Sequence, residues 1–160
     1  MTDLSVRPAT AADAPVILKL IRELARFEKA EHAVKATVED LRRDGWGESP
    51  RFEALIAETD GEPIGFALFF HNYSTWEGRA GLYLEDLYVT PDGRSNGAGG
   101  ALMTRLAQIA IERGCARFEL SVLDWNPARR FYESLGFDQL AEWMPYRLDG
   151  AELRWLAERS

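Results

Sequence analysis

The sequence predicts an α/β fold in which helices pack on a mixed sheet. Three observations predict this class: a helical apolar pattern near the N-terminus, two strand patterns joined by a short turn, and a strand–helix–strand order from residue 80 onward. The chain has 160 residues and no linker or internal repeat, which suits a single domain spanning 1–160.

Two helices are predicted in the first third of the chain. The first runs from about Asp13 to about Glu28, after a "TAAD" segment that resembles a capping box. Its apolar residues recur at helical spacing; they are Val16, Ile17, Leu20, Ile21, Leu24 and Phe27. The second helix, in "TVEDLRRDG", has Thr37 as its N-cap and Gly45 beyond its end.

The rest of the chain alternates strands and helices. "RFEALIAE" and "EPIGFALFF", separated by "TDG", predict a hairpin, and "AGLYLEDLYV" predicts a third long strand. A glycine-rich turn then leads into a helix that ends at Gly114. "ARFELSVL" is a strand, and "WNPARRFYESLGF" is a turn and a short helix stopped by Gly136. The remaining tail is expected to supply one last strand and a frayed helix.

The composition narrows the classes of partner. A formal charge of −7 disfavours nucleic acid and favours a cationic small substrate, although acidity for solubility explains the same charge. No apolar run approaches the ~20 residues of a membrane span, and the N-terminus lacks a signal-peptide layout, so a cytoplasmic location is expected. Cys115 is the single cysteine, and His32 and His71 have no metal-site spacing, so no metal is expected.

The turn between residues 93 and 100 contains four glycines and one arginine, Arg94. A helix N-terminus offers unpaired N–H groups and partial positive charge, and glycines allow a ligand to approach the backbone, so this turn suggests a phosphate cradle. A P-loop would need a lysine, and a dinucleotide fingerprint starting at Gly97 fails at Leu102. The pattern that remains is Arg-x-x-Gly-x-Gly; a turn with glycines for geometry alone is the alternative.

Two adjacent acids, Glu85 and Asp86, lie within "YLEDLY". Strand alternation predicts one face with Tyr83, Glu85, Leu87 and Val89, and the opposite face with Asp86 and Tyr88. Both carboxylates should therefore not reach one ligand unless a bulge intervenes. The alternative is one solvent-facing acid and one hydrogen-bonded acid.

The Arg-x-x-Gly-x-Gly turn after "LYLEDLYVTP", together with "WNPARRFYESLGF", resembles the GCN5-related N-acetyltransferase (GNAT) superfamily. "YSTWEGRAGLYLEDLYV" and "VLDWN" are similar to its spermidine/spermine N-acetyltransferase group, especially the thialysine branch, and the likeness runs from about Val6 to Leu148. It implies a GNAT acyl-CoA N-acyltransferase fold, acetyl-CoA as co-substrate, and a homodimer. The implied acceptor is a small primary amine such as thialysine, a lysine-like amino acid, a diamine or a polyamine. A protein N-acetyltransferase and a non-catalytic CoA sensor remain as alternatives.

The resemblance also implies roles for individual residues. Glu85 binds the amine and accepts its proton, with Asp86 a weaker candidate, and Tyr132 protonates the leaving CoA thiolate. The expected CoA-binding residues are Leu87, Tyr88, Val89, Arg94, Ser95, Asn96, Gly97, Ala98, Gly99, Gly100 and Asn126. The expected substrate-binding residues are Phe27, Glu28, Glu31, Trp76, Glu85 and Asp86.

The sequence differs from the family pattern at two positions, and structural explanations are open for several of the assigned residues. The step from Asn126 to Tyr132 is one residue shorter than in the family, and Ser74 replaces an acid, which argues against spermine. Without the resemblance, Tyr132 would be interpreted as a core-packing residue and Asn126 as a helix cap. An exposed end of the first helix explains Glu28 and Glu31 equally, and a buried anchor explains Trp76.

Overall fold

The computed structural model describes residues 3–160, which form two compact units. The first unit ends at Ser121 and the second runs from Val122 to Ser160.

The described part of the first unit contains five strands and three α-helices. The strands are β1 (Leu4–Pro8), β2 (Glu53–Thr59), β3 (Glu62–Ser74), β4 (Arg79–Val89) and β5 (Phe118–Leu120). The helices are α1 (Ala14–Phe27), α2 (Val38–Trp46) and α3 (Ala98–Glu112). A six-residue 3₁₀ helix, Pro91–Asn96, connects β4 to α3.

The sheet has the order β1-β2-β3-β4-β5 and is mixed, as predicted. Each neighbouring pair from β1 to β4 is antiparallel, and β5 joins β4 in parallel. The predicted β2–β3 hairpin is confirmed, with Asp60 and Gly61 both at positive φ (52° and 82°), as a two-residue primed turn requires. β1 was not predicted, because a five-residue edge strand that ends in Pro8 gives little strand pattern.

The two faces of the sheet are covered by different helices. α1 and α2 pack on one face, where Ile17 and Leu41 join Ile56, Phe66 and Tyr88 in one buried cluster. α3 contacts β2, β3 and β4 as well, through buried residues that include Leu102 and Leu106. This arrangement confirms the α/β layers, the predicted extent of the first helix to within one residue, and the predicted end of the third helix to within two residues.

α2 confirms its predicted N-cap but not its predicted end. The Thr37 hydroxyl accepts the Asp40 N–H at 3.1 Å, and the Thr37 N–H donates to the Asp40 carboxylate at 3.0 Å. The prediction that Gly45 lies beyond the helix is wrong, because α2 continues through Trp46. A Cβ atom on Gly45 would come within 2.8 Å of the Phe52 ring, so this glycine makes room for packing rather than stopping the helix.

The second unit contains α4 (Ala128–Ser134) and α5 (Gly150–Glu158). Gly136 follows α4 at φ 102°, in agreement with the predicted stop. The predicted final strand is wrong, because residues 138–149 form turns and irregular structure. A strand needs a hydrogen-bonding neighbour, and the described residues of this unit, 122–160, include no other strand.

Candidate active site

β4 carries a β-bulge at Glu85. Asp86 pairs with Leu68 of β3 and Leu84 pairs with Phe69, so Glu85 is left without a β3 partner between them. Cross-strand partners point to the same face of a sheet, so the bulge reverses the alternation of β4 at this point. In the sequence, the two adjacent acids were the only indication of a bulge, because the bulge depends on the register between β4 and β3.

The bulge changes which side chains share a face. Tyr83, Asp86 and Tyr88 all lie on the face that α1 covers, because their β3 partners are alternate residues of that strand. Leu87 and Val89 lie on the opposite face. The predicted face containing Tyr83 with Leu87 and Val89 is therefore wrong.

Three carboxylates interact around the bulge. Burial raises the pKa of the half-buried Asp86 from 3.8 to about 6, and the negative charges of Glu85 and Glu28 add to the shift. Glu28 directly follows α1, and partial burial raises the pKa of its carboxyl too. Glu85 itself is exposed. The cluster attracts a cation, and a carboxylate with a pKa near 6 is suited to accept a proton at neutral pH.

The edge of β4 beside this cluster is open along its C-terminal half. Pairing with β5 covers only Leu82–Leu84, and β4 continues to Val89. Within residues 3–160, no other strand pairs with that edge of Leu87–Val89. Backbone groups here are geometrically suited to hold an extended ligand by strand-like hydrogen bonds. The predicted binding of the pantetheine arm by Leu87, Tyr88 and Val89 fits this edge and remains a prediction.

The glycine-rich turn folds as a 3₁₀ helix that leads directly into α3. Arg94 is the one side chain of this turn that reaches back to β4: its Nε donates to the Val89 carbonyl at 3.0 Å. Its guanidinium also lies 6.0 Å from the centre of the Phe27 ring and 5.7 Å from that of Tyr88. Arg94 therefore ties the turn to both β4 and the end of α1.

The glycines of this turn have different roles. Gly93 is buried, and a Cβ there would lie 2.9 Å from the Cβ of Ile64, so its smallness serves packing. Gly97 adopts φ 82° and precedes the first residue of α3. A Cβ on Gly97 or Gly100 would meet nothing within 4 Å, so open space adjoins the backbone at the start of α3. This open helix N-terminus fits a diphosphate.

The remaining residues of the predicted cradle are Ser95, Asn96, Ala98 and Gly99, and their binding of a diphosphate remains a prediction. The Asn96 side chain donates to the Thr59 hydroxyl at 2.9 Å and so is held by β2. Ser95 is exposed, whereas Ala98 is fully buried and Gly99 is half-buried. The N–H groups of Ala98 and Gly99 belong to the first turn of α3, where intrahelical acceptors are lacking, whereas Ser95 and Asn96 lie in the 3₁₀ helix.

The second unit holds the other two residues predicted to act in catalysis or CoA binding. Asn126 is buried, and its Oδ1 accepts the Ala128 N–H at 2.9 Å, so it caps α4 as well. Tyr132 lies in α4 with its ring 5.4 Å from Phe131 and 6.0 Å from Phe137. Packing and the predicted proton donation are compatible for this phenol, and its catalytic role remains a prediction.

Two predicted substrate residues, Trp76 and Glu31, are exposed. Trp76 is 84% exposed in the turn between β3 and β4. Trp76 precedes β4, whose first residue is Arg79. Along the strand, about 23 Å separates Arg79 from Asp86. Glu31 is exposed, and the ion pair with Arg26 at 2.9 Å lowers its pKa. Phe27, by contrast, contacts the guanidinium of Arg94 beside β4.

Comparison with known proteins identifies the fold and its chemistry. A family model described as Acetyltransferase (GNAT) family matches residues 18–137. The chain belongs to this family. Its fold, with a five-stranded mixed sheet between helices, is the GNAT fold that the resemblance predicted. This GNAT protein is an N-acetyltransferase, and members of the family use acetyl-CoA as the acetyl donor.

Similar proteins match the GNAT chain over nearly its full length. Thialysine N-epsilon-acetyltransferase of Mus musculus is 42% identical, covering 99% of this chain and 100% of that protein. L-ornithine N5-acetyltransferase of Arabidopsis thaliana is 30% identical over 93% of this chain and 86% of that protein. The solved structure of an integron cassette protein from V. cholerae matches with a TM-score of 0.82 and 26% identity, covering 98% of each chain.

Two further features bear on the predicted partners. Among residues 3–160, no cluster of three histidine, cysteine or acidic side chains has a metal-binding arrangement. Within the same residues, no helix is both long and apolar enough to span a membrane.

Proposed function

We propose that this GNAT enzyme acetylates the terminal side-chain amine of a small, lysine-like amino acid. The observation that carries the proposal is the cluster of Glu28, Glu85 and Asp86 at the bulge, next to the open edge of β4. The similar proteins named for thialysine and for L-ornithine support it, because both names denote amino acids with a terminal primary amine. Diamines and polyamines are acceptors of the same chemistry.

The carboxylate cluster has two tasks in this proposal. It first attracts the ammonium form of the acceptor, whose reference pKa is about 10.4. Asp86 then removes one proton, because its raised pKa makes it a better base than an ordinary aspartate. We assign Glu85, which is exposed at the bulge, to binding the cation beside it. This reverses the ranking of the two acids that the resemblance suggested.

Acetyl transfer follows from this proton removal. The amine lone pair attacks the thioester carbonyl carbon, a C–N bond forms, and the C–S bond breaks. An N–H on the open edge at Leu87–Val89 stabilises the developing oxyanion. The leaving thiolate takes a proton from a donor that we assign as Tyr132, and the acetylated nitrogen releases its second proton, which restores the phenol by way of solvent. The backbone from Ser95 to Gly100 holds the diphosphate of acetyl-CoA, with Arg94 and Asn126 as further contacts.

The second unit supports a proposed homodimer. It exposes large apolar side chains that water does not favour: Trp143, Met144, Tyr146, Leu153 and Trp155. Pairing of two copies through this segment would remove that surface from water, and light scattering of the purified protein tests it. A cytoplasmic location remains a prediction from the sequence.

Thiol release from acetyl-CoA with a panel of acceptors tests the proposed function. The panel contains thialysine, lysine, ornithine, putrescine, spermidine and a peptide with a free N-terminus. We expect turnover with the amino acids and diamines, and highest kcat/KM with a lysine-like amino acid. Turnover with the peptide alone would favour a protein acetyltransferase. Tight CoA binding without turnover of any amine would favour a sensor and would refute the proposal.

A further inference from the structure

A groove of about 660 Å³ runs along the exposed side of α1 and is rich in cations. Its basic lining residues are Lys19, Arg22, Arg26 and Arg94, and Glu23 is its acidic one. The whole chain carries a formal charge of −7, so this local excess of positive charge runs against the average surface. The volume lies within the range of small-molecule sites.

Among residues 3–160, three of the four cations have no salt-bridge partner, and of these only Arg94 is held in place, by its hydrogen bond to the Val89 carbonyl. Arg26 is paired with Glu31 at 2.9 Å, and Glu23 accepts a hydrogen bond from the Tyr88 hydroxyl at 3.2 Å. Lys19 and Arg22 make no salt bridge with any of residues 3–160. Both are exposed and lie three residues apart on one side of α1, so their charged groups can meet a single anion.

The groove extends from Phe27, which precedes the acceptor carboxylate Glu28, to the phosphate end of the proposed CoA site, and Lys19 and Arg22 lie about 13 and 9 Å along α1 from Glu28. Its wall includes Tyr88 at the end of the open β4 edge, followed by Pro91 and Arg94 of the turn. Asp86 and Glu85 precede these residues along β4 and do not line the groove. A ligand that runs from the bulge to the turn therefore reaches the groove last, with its nucleotide end.

We propose that Lys19 and Arg22 bind the ribose 3′-phosphate of acetyl-CoA in this groove. The proposal rests on the proposed function, because it requires the diphosphate to lie at the start of α3. A phosphate monoester carries between one and two negative charges near neutral pH and offers several acceptor oxygens, which match an ammonium and a guanidinium. Free CoA and acetyl-CoA share this group, whereas 3′-dephospho-CoA lacks it.

Isothermal titration calorimetry with CoA and 3′-dephospho-CoA tests the proposal by direct binding. The test variant is Lys19→Gln/Arg22→Gln. The matched control is Arg79→Gln/Arg117→Gln, which removes two exposed charges near the starts of β4 and β5, outside the groove. We expect the wild type and the control to bind CoA at least about tenfold more tightly than 3′-dephospho-CoA. The test variant should lose this preference, with its Kd for 3′-dephospho-CoA unchanged.

Each other outcome is informative. Equal Kd values for the two ligands in the wild type would overturn the proposal while leaving the CoA site intact. A preference for CoA that survives in the test variant would also overturn it, because the phosphate would then bind elsewhere. If neither ligand binds the wild type, the proposed acetyl-CoA function itself fails.

Discussion

Replacing Asp86 with asparagine should lower activity and raise stability at the same time. Asparagine keeps the shape of the side chain but can neither accept the ammonium proton nor carry a charge. A lost general base costs about 100-fold or more in rate. We therefore expect kcat/KM for the acceptor amine to fall by at least that factor at pH 8.

The pKa of Asp86 gives the magnitude of the stability change. The difference between about 6 in the folded protein and 3.8 corresponds to about 3 kcal/mol of unfavourable charging, from (6 − 3.8) × 1.36. A carboxyl whose folded pKa is raised favours folding below pH 3.8, and this contribution is lost as the pH rises through about 6. Asp86→Asn should accordingly raise the free energy of unfolding by up to about 3 kcal/mol at pH 8, and hardly at pH 3.5.

The assay is a pH profile of thiol release together with urea unfolding. With the ammonium form of the substrate as the reactant, wild-type kcat/KM should be flat between about pH 6 and 10 and fall tenfold per pH unit below 6. Asp86→Asn should lack this acidic limb. Glu85→Gln is the matched control, and it should weaken amine binding but keep the limb. A limb that survives in Asp86→Asn and disappears in Glu85→Gln would refute our assignment of the base.

Three further predictions concern the turn, the phenol and a helix cap. Gly100→Ala should leave the protein at least as stable, since the space beside it is open, but weaken CoA binding; Gly93→Ala should lower the melting temperature, because its Cβ would lie 2.9 Å from Ile64. Calorimetry and thermal unfolding of the pair check this, and equal effects of both variants would contradict it. Tyr132→Phe should lower kcat in steady-state assays while leaving the KM for acetyl-CoA nearly unchanged, so a full kcat would remove the phenol from the mechanism. Thr37→Ala should cost about 1 kcal/mol in urea unfolding through loss of the α2 cap, and an unchanged midpoint would contradict the observed capping box.

Elements specified by local chemistry were predictable from the sequence. The Thr37 cap and the Asp60–Gly61 turn each depend on neighbouring residues, so the pattern was sufficient. Whether a short segment forms a strand depends on whether another strand is available to pair with it. The sequence of the segment itself does not show this, so β1 was missed and a strand was wrongly predicted in the tail. Gly45 was predicted to stop α2, because the neighbouring residues do not reveal that this glycine packs against the Phe52 ring.

The candidate site was predictable in composition but not in orientation. The acids and the glycine-rich turn were recognised by residue type and spacing. The face of Asp86 was not, because the bulge arises from the register between β3 and β4. Lys19 and Arg22 were missed for a different reason: cations on the polar side of an amphipathic helix have the same pattern as an ordinary solvated surface.

The central claim is that backbone N–H groups at the start of α3 bind the diphosphate of acetyl-CoA. An amide NMR titration of the isotope-labelled protein with CoA tests it most directly. The account predicts that the resonances of Gly97, Gly99 and Gly100 shift as CoA saturates the protein, while those of Gly61 and Gly78, in the two hairpin turns, stay in place. Saturable CoA binding that leaves the three α3 glycine resonances unmoved would contradict it.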